Sequence, residues 1–242
     1  MPEHRYPRGR IRPSAVPMLR YAHEYLTAPL PAPTYPISVW PKGLDPGMCG
    51  NDKWGDCVAA AEWHAEMATA VAAGAEPPAG TLAVPRYEQA APCSSPPGPG
   101  LTIAAYLGWL HGKGLLVAYA PVNHRDIATR DAFLQAGYGL LTGVCLTTTA
   151  ETLFGQNKPW GSQGGIVSPN LQDGHGMYLC GSTGTGADGL DTDVTWGGFA
   201  QTTDAWRKAC TEELWLLVTS EEKAAAFEPT LLSDVAALHG VG

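Results

Sequence analysis

The sequence predicts an α+β fold, with helices leading and an antiparallel sheet filling the last third of the chain. Three observations predict it. Residues 57–73 (CVAAAEWHAEMATAVAA) are dense in alanine, the best helix former, and carry no internal breaker. HGMYLCGST and DVTWGGF read as two strands joined by the glycine-rich stretch GTGADGLDT. ELWLLVT adds a further strand near the end. Helices followed by strands, without regular β–α alternation, is the α+β pattern.

The elements follow in order. Residues 1–48 are rich in proline (PLPAPTYPISVWPKGLDPG), which fixes φ and removes a donor, so this stretch is expected to lie extended over a surface. In the helix of residues 57–73, Val58, Ala61, Met67 and Val71 supply a face for burial. Asp56 stands where an N-cap belongs, and Gly74 is the stop. Residues 76–100 show no periodicity and are expected to be loop. LTIAAYLGWLHGKG carries Ile103, Leu107 and Leu110 at helical spacing, ended by Gly112 and Gly114. LLVAYAPV predicts a short strand, HRDIATRDAFLQAG a helix stopped by Gly137, and GLLTGVCLT a buried strand. After the hairpin come a short helix (TTDAWRKAC), the ELWLLVT strand and a small terminal helix (PTLLSDVAALHG). The expected domains are an arm over 1–48, one domain over 49–220 and a tail over 221–242.

Composition narrows the function. The 242 residues are 45% apolar and 16% charged, with 29 Gly and 21 Pro, which describes a loop-rich globular chain. A net charge of −8 argues against a general nucleic-acid binder, whose phosphate contacts need a basic surface. The first twenty residues run the other way: Arg5, Arg8, Arg10, Arg12 and Arg20 stand against Glu3 alone. Such an arm is either solvated or docks on an acidic partner.

No apolar run reaches the roughly 20 residues that span a bilayer. MPEHRYPRGR has no apolar core, so the expectation is synthesis in a cytoplasm without a secretory signal. Six cysteines show no paired CxxC spacing, there is no HExxH, and STGTGADG lacks the spacing and lysine of a phosphate loop. No metal or other cofactor is therefore expected. The eight tryptophans are scattered and read as core and cleft walls, and His23, Glu62 and His64 as surface or satisfied polar groups.

Two residues stand apart. A cysteine nucleophile needs a thiolate, a base to hold its proton and donors for the oxyanion. Cys57 opens the best helix of the chain, where unpaired N–H groups favour negative charge. His175 lies in Gly-His-Gly immediately before an apolar strand, and its small neighbours leave room for the ring to face a cleft.

The stretch Asn51-Asp-Lys-Trp-Gly-Asp-Cys57 resembles the active-site segment of papain-like cysteine peptidases, with an amide side chain six positions before a helix-opening cysteine. His175-Gly-Met-Tyr-Leu-Cys followed by Val194-Thr-Trp-Gly197 resembles that family's histidine strand and its Asn-Ser-Trp-Gly strand. The whole layout looks like uncharacterised papain-like proteins encoded by bacteriophages. The resemblance spans roughly residues 45–220.

It implies a helical lobe carrying Cys57 packed against a sheet lobe carrying His175. It also implies Asn51 as an oxyanion donor and Trp196 as a shield over the histidine's partner. Where the family has the orienting Asn, this chain has Val194, which cannot hold an imidazole. Asp193 or Thr195 would serve if the strand slips by one residue, and Asp191 from the loop. The implied activity is cleavage of an amide bond (peptide, isopeptide or peptidoglycan cross-link) by a Cys–His dyad. The alternative is a virion structural or attachment protein that reuses the fold without chemistry. In the first case the partner is a peptide-like substrate, in the second a protein met through the arm. A leader that acts as an inhibitory segment is a further possibility.

Overall fold

The computed structural model describes residues 6–12, 19–164 and 167–238; Glu3 and Arg5 of the basic arm lie outside them. Among the described residues the helices are α1 (Cys57–Ala72), α2 (Ala83–Ala90), α3 (Ile103–Gly112), α4 (Ile127–Gln135), α5 (Ala150–Gly155), α6 (Asp204–Cys210), α7 (Glu221–Ala224) and α8 (Pro229–Leu238). The strands are β1 (Ile37–Ser38), β2 (Ala118–Pro121), β3 (Leu140–Cys145), β4 (Gly174–Ser182), β5 (Leu190–Thr195), β6 (Gly198–Thr203) and β7 (Thr211–Val218). All seven belong to one sheet of order β2-β7-β3-β4-β5-β6, with β1 paired to the far end of β4. Every pairing is antiparallel, so the α+β expectation holds.

Helix α1 lies across β4, and this crossing positions everything that follows. Val58, Ala61 and Ala65 pack with Leu107, Leu179 and Leu216 in the main core. The small residues of α1 let it approach the strand closely. Gly176 makes the closest approach possible: a Cβ there would stand 3.0 Å from the Val58 Cα and 3.1 Å from the Cys57 carbonyl. The first three turns of α1 are enclosed on nearly all sides, not on one face, and even Glu62 and His64 are buried. Glu62 is satisfied there by Arg86 at 3.2 Å and by the Tyr106 hydroxyl at 3.1 Å, and His64 faces the Pro46 carbonyl at 3.1 Å. Val71, expected in the core, is only half-buried.

Several elements depart from the sequence reading. Residues 83–90, expected as loop, form α2. Its Pro85 falls in the first turn, where the missing N–H has no intrahelical acceptor to serve. DVTWGGF is not one strand but the end of β5, a two-residue turn and the start of β6. Trp196 and Gly197 turn the chain with φ of +46° and +70°. The proline-rich leader does more than wrap a surface, since it contributes β1 and a short 3-10 turn, Ala22–Tyr25, whose two terminal residues are fully buried.

A buried ionic cluster fixes β5. Arg130 of α4 holds both Asp191 oxygens at 2.7 and 2.8 Å, and Arg207 of α6 binds Asp191, Asp193 and the Thr202 hydroxyl. Charges this deep persist only when paired and hydrogen-bonded, which ties both helices to one strand.

Candidate active site and the segment that covers it

Cys57 is the first residue of α1, so its N–H and the next ones lack helical acceptors. Asp56 occupies the N-cap position but makes no capping bond. Its carboxyl turns to the Asn51 amide, 3.2 Å from Oδ1, while Oδ2 is buried with no partner among the described residues. Burial pushes the Asp56 pKa up to about 8 against the opposing Asn51 bond, so at neutral pH this neighbour of the thiol is mostly uncharged. The conflict between an aspartate and a thiolate side by side is softened by protonation, not by capping. Asn51 spends its amide on Asp56 and on the Trp54 carbonyl at 3.3 Å.

His175 enters β4 from the loop before it and is fully buried. Its Nε2 lies 2.7 Å from the Thr195 hydroxyl, and its Nδ1 has no partner among the described residues. The N–H of the next residue, Gly176, donates to the Cys57 sulfur at 3.3 Å, so the helix start and the histidine strand meet at the thiol. The Trp196 ring lies over the imidazole with centroids 4.7 Å apart, as a shield would. Of the three residues considered for orienting the ring, Thr195 contacts it. Asp193 and Asp191 are held by Arg207 and Arg130 instead. The turn is the reason. Trp196 lies in the bend with Thr195 immediately before it, and side chains alternate along β5 so that Val194 faces away.

Residues 6–12 fill the groove above this pair. Tyr6 stacks on Trp196 at 4.8 Å, and the Arg8 guanidinium lies 5.0 Å from the Trp196 ring. Arg8 pairs with Asp173 and Glu151. Arg10, its side chain wholly buried, places Nε and Nη2 on one oxygen of Glu213 at 2.9 and 2.6 Å and Nη1 on Glu212 at 2.7 Å. Arg12 pairs with Glu212. The acidic partner met by the described part of the arm is therefore the chain itself. Backbone bonds complete the fit: Leu101 N–H donates to the Gly9 carbonyl at 2.6 Å, and Ile11 N–H to the Leu101 carbonyl at 2.7 Å.

Glycines make the passage. A Cβ on Gly9 would fall inside the Gly55 carbonyl, one on Gly100 against the Gly9 carbonyl, and one on Gly174 against the Arg10 carbonyl. One on Gly143 would strike the Arg10 guanidinium. The two glycines around His175 thus admit other backbones, Gly174 the arm and Gly176 the helix.

Burial shifts both groups. Burial pushes the Cys57 pKa up, against the Gly176 and Gly9 backbone bonds to the sulfur. Burial first, then the Arg8 and Arg10 charges, hold His175 well below its usual value. Both shifts disfavour a thiolate–imidazolium pair in the closed structure.

A helix opened by the cysteine and crossing an antiparallel sheet that bears the histidine is the fold of the papain-like cysteine proteases, and this chain has that fold. Xylellain, a cysteine protease from Xylella fastidiosa, superposes with a TM-score of 0.61 over 90% of this chain and 97% of its own, at 12% identity. Digestive procathepsin L 3 from the larval midgut of Tenebrio molitor gives a TM-score of 0.44 over 87% and 76%, at 15% identity. No family model and no curated protein matches the sequence.

Sequence reasoning missed the four carboxylates under the arm: Glu151, Asp173, Glu212 and Glu213. The signal available was the Arg8-Gly9-Arg10 triplet, in which two cations flank the one residue able to pass a tight crossing.

Proposed function

We propose that the chain is a thiol hydrolase of amide bonds, with Cys57 as nucleophile and His175 as base and acid. The observation that carries this is the imidazole itself: Nε2 is held by Thr195, Nδ1 is unpartnered, and the sulfur lies against the adjoining Gly176 N–H. Once the groove is open, Nδ1 takes the thiol proton and the sulfur adds to the substrate carbonyl carbon. The oxyanion is received by the Cys57 N–H and by Asn51, which releases its longer bond to the Trp54 carbonyl. The C–N bond then breaks as His175 protonates the departing amine. Water, deprotonated by the same ring, cleaves the thioester. Peptides, isopeptides and peptidoglycan cross-links all present such a bond.

Residues 6–12 hold this machinery latent. From the arm, the Gly9 backbone N–H faces the sulfur and takes the place a substrate would occupy. The test uses a peptidyl thiol-directed probe under reducing conditions on the full chain carrying Gly9→Val, which cannot seat its arm. Labelling that disappears with Cys57→Ala is the expected result; equal labelling with and without Cys57, or none at all, overturns the proposal.

One observation favours a second reading. A groove filled by the chain's own arm also suits a virion structural or attachment protein that keeps the fold without the chemistry. Absence of labelling in the open variant, with the fold intact, would select it.

A further inference from the structure

The arm shows what the groove recognises. Its contacts divide into two kinds. The backbone bonds between residues 9–11 and Leu101 hold any extended chain and carry no sequence preference. The contacts of three consecutive side-chain positions do carry one.

At the centre, where the arm crosses the start of α1 beside Cys57, the Gly55 carbonyl occupies the space of a Cβ on Gly9. The obstacle is backbone on both sides and cannot rotate away, so the position takes glycine alone. On one flank Arg8 lies between Glu151 and Asp173 with its guanidinium against Trp196. On the other, Arg10 reaches a pocket floored by Gly143, where Glu213 accepts two of its N–H groups while Glu212 and the Val144 carbonyl, at 3.2 Å, take Nη1. That fork needs a planar guanidinium; an ammonium presents its donors from one point and cannot fill it. Four of the chain's carboxylates are gathered under this one short segment.

We propose that this groove is a recognition site for extended peptides of the pattern basic–glycine–arginine, with glycine passing the reactive sulfur, and that Arg8-Gly9-Arg10 is an internal copy of that pattern. Substrates are then segments in which a glycine is flanked by cationic side chains. The inference rests on the hydrolase reading for what happens after binding, but recognition is measurable without turnover.

The experiment uses the full chain carrying Gly9→Val and Cys57→Ser, and a labelled synthetic peptide with the sequence of residues 6–12, read by fluorescence anisotropy. The expected result is saturable binding at least tenfold tighter than to the Cys57→Ser chain with its arm intact. Peptides with alanine for the glycine, or lysine for the second arginine, are expected to bind at least tenfold more weakly. Should Gly9→Val lose its far-UV helical signal, Arg8→Ala opens the arm in its place and the same ratios apply. Equal affinity for the three peptides, or no binding of the parent peptide to a folded open variant, overturns the proposal. Binding with the expected ratios but no thiol-probe labelling of Cys57 in the open Gly9→Val chain leaves recognition standing and removes the hydrolase reading.

Discussion

His175 and Thr195 are joined by a 2.7 Å contact between Nε2 and the hydroxyl, which gives the ring a hydrogen-bond partner one position along from Val194. A hydroxyl can accept the ring proton, which leaves Nδ1 unprotonated and directed to act as a base. In the proposed mechanism Thr195 would be a positioning residue, acting on the substrate only through the imidazole.

Thr195→Val keeps the shape and deletes that bond. In the Gly9→Val background, the rate of probe labelling at Cys57 is expected to fall about 100-fold, the scale of a misplaced catalytic group. Thr195→Ser is expected to stay within a few-fold of the parent. A structural role alone would lower stability without separating the two variants, so equal rates for Val and Ser remove Thr195 from the mechanism.

Glu213 anchors the arm. It takes two bonds from the buried Arg10 and one, at 2.8 Å, from the Trp215 indole. Glu213→Gln leaves a buried cation with a weakened partner, and breaking such a pair costs about 3 kcal/mol. The urea midpoint is expected to fall by more than in Glu212→Gln, whose carboxylate is partly solvated. Probe access to Cys57 is expected to rise with it. A midpoint shift no larger than that of Glu212→Gln would contradict the anchoring role.

Asp56 gives a pH signature. Unfolded, its carboxyl loses its proton near the ordinary aspartate value of 3.8; folded, burial delays that to about 8. Between those values the unfolded chain binds fewer protons, so this group lowers stability as pH rises, by about 1.4 kcal/mol per unit at most. His64, pushed down to about 4 by burial, and His175 act in the opposite sense below pH 6.5, since the unfolded chain then gains protons the folded one refuses. Their contribution cancels in a comparison of the parent with Asp56→Asn. The variant is expected to gain stability relative to the parent from pH 5 to pH 8 and no further above it. A difference independent of pH would show that Asp56 is ionised in the fold.

What the sequence made legible was local. A cysteine after Gly-Asp at the head of an alanine-rich helix, and a histidine before an apolar run, announce themselves within a few residues. Thr195 was harder, because counting from Trp196 assumes that the tryptophan continues the strand. It lies instead at positive φ in a turn, so the residue facing the ring is the one just before the bend. Asp193 looked as suitable as Thr195 until Arg207 claimed it, and nothing near residue 193 in the sequence signals that arginine's reach. The arm was least legible of all. Arg10 and Glu213 are 203 positions apart, and such a pairing follows from the folded path alone.

Gly176 concentrates this geometry in one atom's worth of space. Its N–H donates to the Cys57 sulfur, and the place of its missing Cβ lies 3.0 Å from the Val58 Cα and 3.1 Å from the Cys57 carbonyl. Both neighbours are helix backbone, so Gly176→Ala must push α1 off β4 instead of turning a side chain aside. Overpacking of this kind costs about 1–3 kcal/mol. The shift also moves the sulfur relative to Nδ1, so labelling of Cys57 in the open variant is expected to drop by about tenfold or more. Gly174→Ala meets the arm instead of the helix. It should raise access to Cys57 in the otherwise unchanged chain. Opposite effects from two glycines on either side of one histidine would be hard to obtain unless α1 and the arm approach β4 as described, and the same sign of effect from both would refute that arrangement.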